Sequence, residues 1–250
     1  MDRYTAKRRL LRPLTAWRRR RASRLGSIDH GVWAAMGYSP GMRRFFHAAR
    51  ADPAILVDAD VPQGAVVLDV GAFEGSWASR VLARLDEGAE RPHDVLIHAF
   101  EPEAGAVDRM RSSPVGHDPR VAIHPFGLAG RTRVESLIMA GPGSTVLDHD
   151  ATGSGGDRVT VELRDVDEVL RDLGVERVHF AKVNIEGGEY ELIDRLHETG
   201  WLARMGPVIV QFHEFAPHAH RARRRNRRQL AHTHRRTWAY GWVYERWDPR

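Results

Sequence analysis

The sequence predicts an α/β fold, a doubly wound and largely parallel sheet. Three observations carry this. Continuous apolar runs of strand length recur at 65–71, 95–100, 121–126, 178–185 and 207–212. Segments of helical spacing alternate with them, at 76–85, 103–112, 166–173 and 189–203. The unusual polar residues, Asp69, Glu101, Glu186 and His213, stand where the runs end. A run apolar on both faces belongs inside a parallel sheet covered on both sides, and such sheets bind ligands beyond the carboxyl ends of their strands.

Two further segments complete the order. Residues 131–163 read as a β-rich excursion with glycine-rich turns at 141–143 and 153–156. An arginine-rich helix over 218–236 is followed by a closing strand at 242–247. The domain reading is a basic helical arm, 1–62, and one main domain, 63–250. A chain of 250 residues holds one well-buried α/β domain with decorations, not two large ones.

Composition removes some classes of function. There are no cysteines, which excludes disulfide frameworks and thiolate zinc sites and fits a reducing compartment. No stretch reaches the roughly 20 apolar residues that span a bilayer. Arg12 and Arg18 interrupt any apolar region of a secretory leader, so a cytoplasmic enzyme is expected. Residues 1–28 carry +9 and 215–244 carry +8, which leaves −12 for 29–214 against a net charge of +5. An acidic body between basic ends argues against nucleic acid as the partner. In the arm, Leu10, Leu14, Trp17, Leu25 and Ile28 fall near helical spacing, with Pro13 as a break. A helix on a membrane surface and an organelle presequence are its functional readings. An arm packed on its own domain is the plainer one. The oligomeric state is not legible.

The first run closes on Asp69-Val70-Gly71-Ala72-Phe73-Glu74-Gly75. Gly71 and Gly75 permit a tight turn and close backbone approach at a helix start. Phe73 occupies the place where a dinucleotide fingerprint has its second glycine, which counts against a nicotinamide dehydrogenase. Glu101 follows Gly75 by 26 residues at the end of the second run. A carboxylate there accepts both hydroxyls of a ribose. The pair points to a nucleoside cofactor.

Residues 180–189, Phe-Ala-Lys-Val-Asn-Ile-Glu-Gly-Gly-Glu, carry the most specific signal. Strand alternation puts Lys182, Asn184 and Glu186 on one side. Lysine and asparagine near the end of an apolar strand are costly unless paired or functional. Glu189 and Glu191 fall in the first turn of a helix, where the dipole favours carboxylates, and Glu191 is read as capping.

Together, 69–75, 99–102 and 182–189 resemble the FkbM-type methyltransferases in order and spacing, over about residues 65–215. The resemblance implies a Rossmann-like, class I methyltransferase fold that uses S-adenosyl-L-methionine. It implies O-methylation of a sugar, polyketide or other small natural product, so a small-molecule or glycan acceptor. By motif, Asp69, Gly71, Ala72 and Gly75 would hold the methionine part and Glu101 the ribose. Gly127 and Leu128, in 126–128, would lie along the adenine, and Asn184 would face the sulfonium region. The family commonly has aspartate where this chain has Asn184, which argues against a base or a metal centred there. No metal is expected.

His213 follows the run at 208–212 beside Glu186. An imidazole titrating at about pH 6.5 suits a general base. His213 is read as the base, Glu186 as orienting it or the acceptor, and Lys182 as stabilising charge on the acceptor oxygen. A hydrogen-bonded structural histidine is the competing reading. His218/His220 and His232/His234 are spaced as solvated helix residues rather than metal ligands. Two other functions stay open: methylation of nucleic acid through the basic ends, and cofactor binding without catalysis.

Overall fold

The computed structural model describes residues 39–138 and 158–250. The basic helix expected over 1–30 and the glycine turns of the excursion lie outside the described residues. The chain forms two compact units, Met1–Pro53 and Ala54–Arg250. In the first, helix α1 (Pro40–Ala51) starts on Ser39, whose hydroxyl accepts from Met42 N at 3.1 Å, with Pro40 at the first helical position.

The second unit is built on a seven-stranded sheet of order β3-β2-β1-β7-β8-β10-β9. Its strands are β1 (Ala65–Val70), β2 (Val95–Phe100), β3 (Val121–His124), β7 (Phe180–Val183), β8 (Val208–Val210), β9 (His234–Ala239) and β10 (Glu245–Pro249). Strands β3, β2, β1, β7 and β8 run parallel, and β10 and β9 are antiparallel. The order reverses at β1, between β2 and β7. That is the switch point at which a doubly wound sheet opens a crevice. The predicted α/β doubly wound architecture is therefore present. The excursion folds as a second sheet, with β6 (Arg158–Asp165) between β4 (Gly127–Ala129) and β5 (Arg133–Ile138).

Each face of the main sheet has its own core. Leu68, Val70, Ala181, Val183, Val208 and Val210 pack with Leu192 and Ile193 of α5 (Glu189–Glu198) and Leu170 of α4 (Val166–Asp172). Val67, Ile97, Phe180 and Ile209 pack on the other face with Trp77, Ala78 and Val81 of α2 (Ser76–Asp86) and Met110 of α3 (Ala104–Arg111). Fully burying such a side chain stabilises by about 1.5–3 kcal/mol. Alternate residues of one strand serve both cores, which is why these strands read as unbroken apolar runs.

Three expectations are corrected. The run at 178–185 is regular strand only over Phe180–Val183, and beyond it Glu186 and Gly187 turn left-handed at φ 48 and 111. Asn184 and Glu186 therefore lie in a loop, off the strand alternation that was to align them with Lys182. The arginine-rich helix α6 (Ala219–Leu230) stops short of 236. His234 instead opens β9, is 1% exposed and contacts Gly206 O at 3.1 Å, so it is not a solvated helix residue. The segment held no helix breaker; its pairing with β10 outweighs its local preference. The closing strand also starts later than 242, at Glu245.

Candidate functional site

The carboxyl ends of β1, β7 and β8 are brought level by the parallel register, with Asp69 opposite Lys182 and Lys182 opposite Ile209. Beyond β1 the chain makes a turn locked on both sides. Gly71 N and Ala72 N both donate to Phe100 O at 3.0 Å. Gly71 has φ +80, and a Cβ there would stand 2.0 Å from Asn184 O. Gly71→Ala is expected to cost more than about 2 kcal/mol, since strain and a backbone clash act together. Urea unfolding of the variant measures it. Gly75, at φ 77, then starts α2 with no side-chain cap.

Phe73 is left-handed at φ 52, and its N–H donates to Glu101 Oε2 at 2.8 Å. Glu101 Oε1 accepts from Glu103 N at 2.9 Å. Burial raises the Glu101 carboxyl above its ordinary value, and the two N–H bonds pull the other way. The acid expected to bind ribose is thus already tied to the glycine turn. Gly127 lies beside it, where a Cβ would meet Pro102 Cγ at 3.4 Å. The Leu128 side chain is 3% exposed and sits in the core, so only its backbone can face a ligand.

Lys182 donates to Asp69 Oδ1 at 2.9 Å and to Gly71 O at 2.7 Å. Asp69 is fully buried. Asn184 N donates to Val70 O at 2.9 Å, which seats the next loop against the same turn.

His213 is 5% exposed at the end of β8. Glu189, fully buried in the first turn of α5, accepts from His213 N at 2.7 Å through Oε1. The same oxygen is 3.2 Å from His213 Nδ1. Tyr190 donates its hydroxyl to His213 O at 2.8 Å. The other ring nitrogen, Nε2, is 3.2 Å from Glu186 Oε2, in ion-pair range but out of hydrogen-bond alignment. Burial lowers the imidazole's affinity for a proton, but Glu186 and Glu189 together overcome it and push His213 up to about 9. The expectation of a histidine titrating near its ordinary value is corrected by these two carboxylates.

Three buried atoms here have no hydrogen-bond partner: Asp69 Oδ2, Asn184 Oδ1 and His213 Nε2. Buried polar atoms without partners are rare, and three at adjacent strand ends point to a ligand's place. Asp69, Gly71, Ala72, Lys182 and Asn184 form one group, joined to Glu101 through the turn. Glu186 and His213 form the other. The sequence reading missed the bond between Glu189 and His213, whose only signal was an acid directly after Gly187-Gly188. It also missed Tyr244. Burial raises that phenol, and the charges of Asp69 and Glu186 add to the effect, so Tyr244 lies near both groups. Glu191 is not only a helix-end acid, since it accepts from Arg133 of β5 at 2.6 Å.

The family model for the methyltransferase FkbM domain matches residues 69–234. The AMB antimetabolite synthetase AmbE of Pseudomonas aeruginosa is 26% identical over 191 residues. The match takes 62% of this chain and 9% of that protein, so the chain spans about a tenth of that relative. Among solved structures, a TehB-like SAM-dependent methyltransferase from Corynebacterium glutamicum is 12% identical with a TM-score of 0.38, over 83% of this chain and 95% of that one. A precorrin 8w decarboxylase from Methanobacterium thermoautotrophicum is 14% identical with a TM-score of 0.35, over 65% and 61%. The family match starts at Asp69, takes in the glycine turn, Glu101, Lys182 and Glu186, and runs past His213, through the loops that carry both groups of the site. The chain belongs to the FkbM methyltransferase domain family.

Proposed function

We propose that the domain transfers a methyl group from S-adenosylmethionine to a hydroxyl oxygen of a small molecule or glycan. The observation that carries this reading is His213 Nε2, a buried ring nitrogen with no hydrogen-bond partner, held beyond the carboxyl end of β8, the strand that pairs with β7.

The residues suit the cofactor. Asp69 Oδ2 is a buried acceptor without a partner, suited to an ammonium group. Gly71, Ala72 and Gly75 would hold the amino acid part, Glu101 the ribose, and the backbone of Gly127 and Leu128 the adenine. Asn184 Oδ1 would face the sulfonium region. When bound, the cofactor supplies an electrophilic methyl group on a cationic sulfur.

The chain then has two tasks. It aligns the acceptor oxygen and takes its proton. His213 takes that proton at Nε2, and Glu186 stabilises the imidazolium formed. A proton affinity of about 9 makes His213 a strong base that is mostly already protonated at neutral pH. Lys182, with two bonds to the turn, serves Asp69 in this reading rather than the acceptor.

Calorimetric titration with S-adenosylhomocysteine, with NAD as control, tests the cofactor. One-site binding of the first alone is expected. No binding to folded protein would remove the reading. A nucleic-acid acceptor is the second reading, favoured by exposed Arg221, Arg224 and Arg228, which share one side of α6. Steeply salt-dependent binding to RNA or DNA is its mark.

A further inference from the structure

Glu189 is fully buried, yet among the described residues no basic side chain is bonded to it other than the His213 ring. A buried carboxylate is costly unless its lone pairs are used. Here both oxygens are used, and they go to different loops. Oε2 accepts from Gly187 N at 2.8 Å, in the loop that carries Glu186. Oε1 accepts from His213 N at 2.7 Å and stands 3.2 Å from His213 Nδ1. One carboxylate thus fastens the β7–α5 loop to the end of β8. The positive end of α5 favours its charge.

We propose that Glu189 is the positioning residue that fixes the His213 ring and aims its Nε2 at the acceptor. The inference rests on the methyltransferase reading for what Nε2 meets, but not for how the ring is held. A capping glutamate would need only the bond to Gly187. The contact with Nδ1 does something else: a carboxylate hydrogen-bonded there favours a proton on Nδ1, while Glu186, equally close to Nε2 but out of alignment, makes no such bond, which leaves Nε2 as the nitrogen that gains and loses one. The ring is flanked by Glu186 from the loop, Glu189 from α5 and the Phe215 ring at 5.2 Å. The Tyr190 hydroxyl holds the His213 carbonyl, and the adjacent Glu214 faces His220 at 3.4 Å. Of these, Glu189 alone reaches both the backbone N–H and Nδ1 of His213.

The test is nitrogen-15 NMR of the His213 ring across pH, in the wild-type chain and in Glu189→Gln. Above its titration point, the wild-type ring is expected to carry its proton on Nδ1. In Glu189→Gln the titration is expected to fall by about 1–2 pH units, because one of two neighbouring charges is gone. The Nδ1 preference should weaken, and kcat should drop about 10- to 100-fold with cofactor KM unchanged. Glu189→Asp should restore part of the titration shift. A proton on Nε2 in the neutral wild-type ring would overturn the proposal, and that readout needs no variant to fold. An unmoved titration in folded Glu189→Gln would overturn it as well. Failure to bind S-adenosylhomocysteine would instead strike the methyltransferase reading, and the ring measurement would stand apart from it.

Discussion

Replacing Lys182 by methionine is expected to destabilise the domain by about 3–5 kcal/mol and to abolish binding of S-adenosylhomocysteine. Asp69 is fully buried, and the Lys182 ammonium is its 2.9 Å partner across the β1–β7 register. Methionine keeps the length and apolar stem of lysine but leaves a buried carboxylate uncompensated. It also leaves Gly71 O without the donor it has at 2.7 Å. Removing one member of a buried pair costs far more than removing both, because the surviving charge stays desolvated. Lys182→Met combined with Asp69→Asn should therefore regain much of the stability but not the binding. Chemical denaturation and calorimetry on the wild-type chain and the two variants separate the effects. If Lys182→Met keeps its stability and cofactor affinity and loses only turnover, the lysine acts on the acceptor oxygen and not on Asp69.

This pair also shows what could be read from the sequence. The positions of Asp69, the glycine turn and Glu101 were legible because each stands where an apolar run closes. Lys182 was conspicuous as a cation in an apolar run, but its partner lies 113 residues away, at a distance only the sheet order sets. The same limit hid the contact between Glu189 and His213. The loop that takes Asn184 and Glu186 off the strand was hidden for another reason. Glu186 takes φ 48, a conformation that costs a non-glycine residue about 1–2 kcal/mol and that no local preference announces. Strand β9 escaped because its arginines continue the composition of α6. Only its antiparallel pairing with β10 tells them apart.

Replacing His213 by alanine is expected to lower kcat by about 10²- to 10⁴-fold while S-adenosylhomocysteine still binds, the range removed when a positioned base is lost. The wild-type pH dependence should carry the same signature. Burial alone would make the imidazole give up its proton early. Glu186 and Glu189 reverse this and hold the proton until about pH 9. Base catalysis needs the unprotonated ring, so kcat should rise with pH and level off above about 9. Stability should move the opposite way. The folded ring binds its proton more tightly than an unfolded histidine, which titrates at about 6.5. The contribution is therefore full below about pH 6.5 and is lost as pH climbs through 9, an effect on the order of 3 kcal/mol. His213→Ala should remove the kcat limb and flatten the stability curve over that window together. A structural histidine would flatten the stability curve and leave the kcat profile where it was. The two curves, measured on one variant, therefore decide whether this imidazole takes the proton or only holds two loops in place.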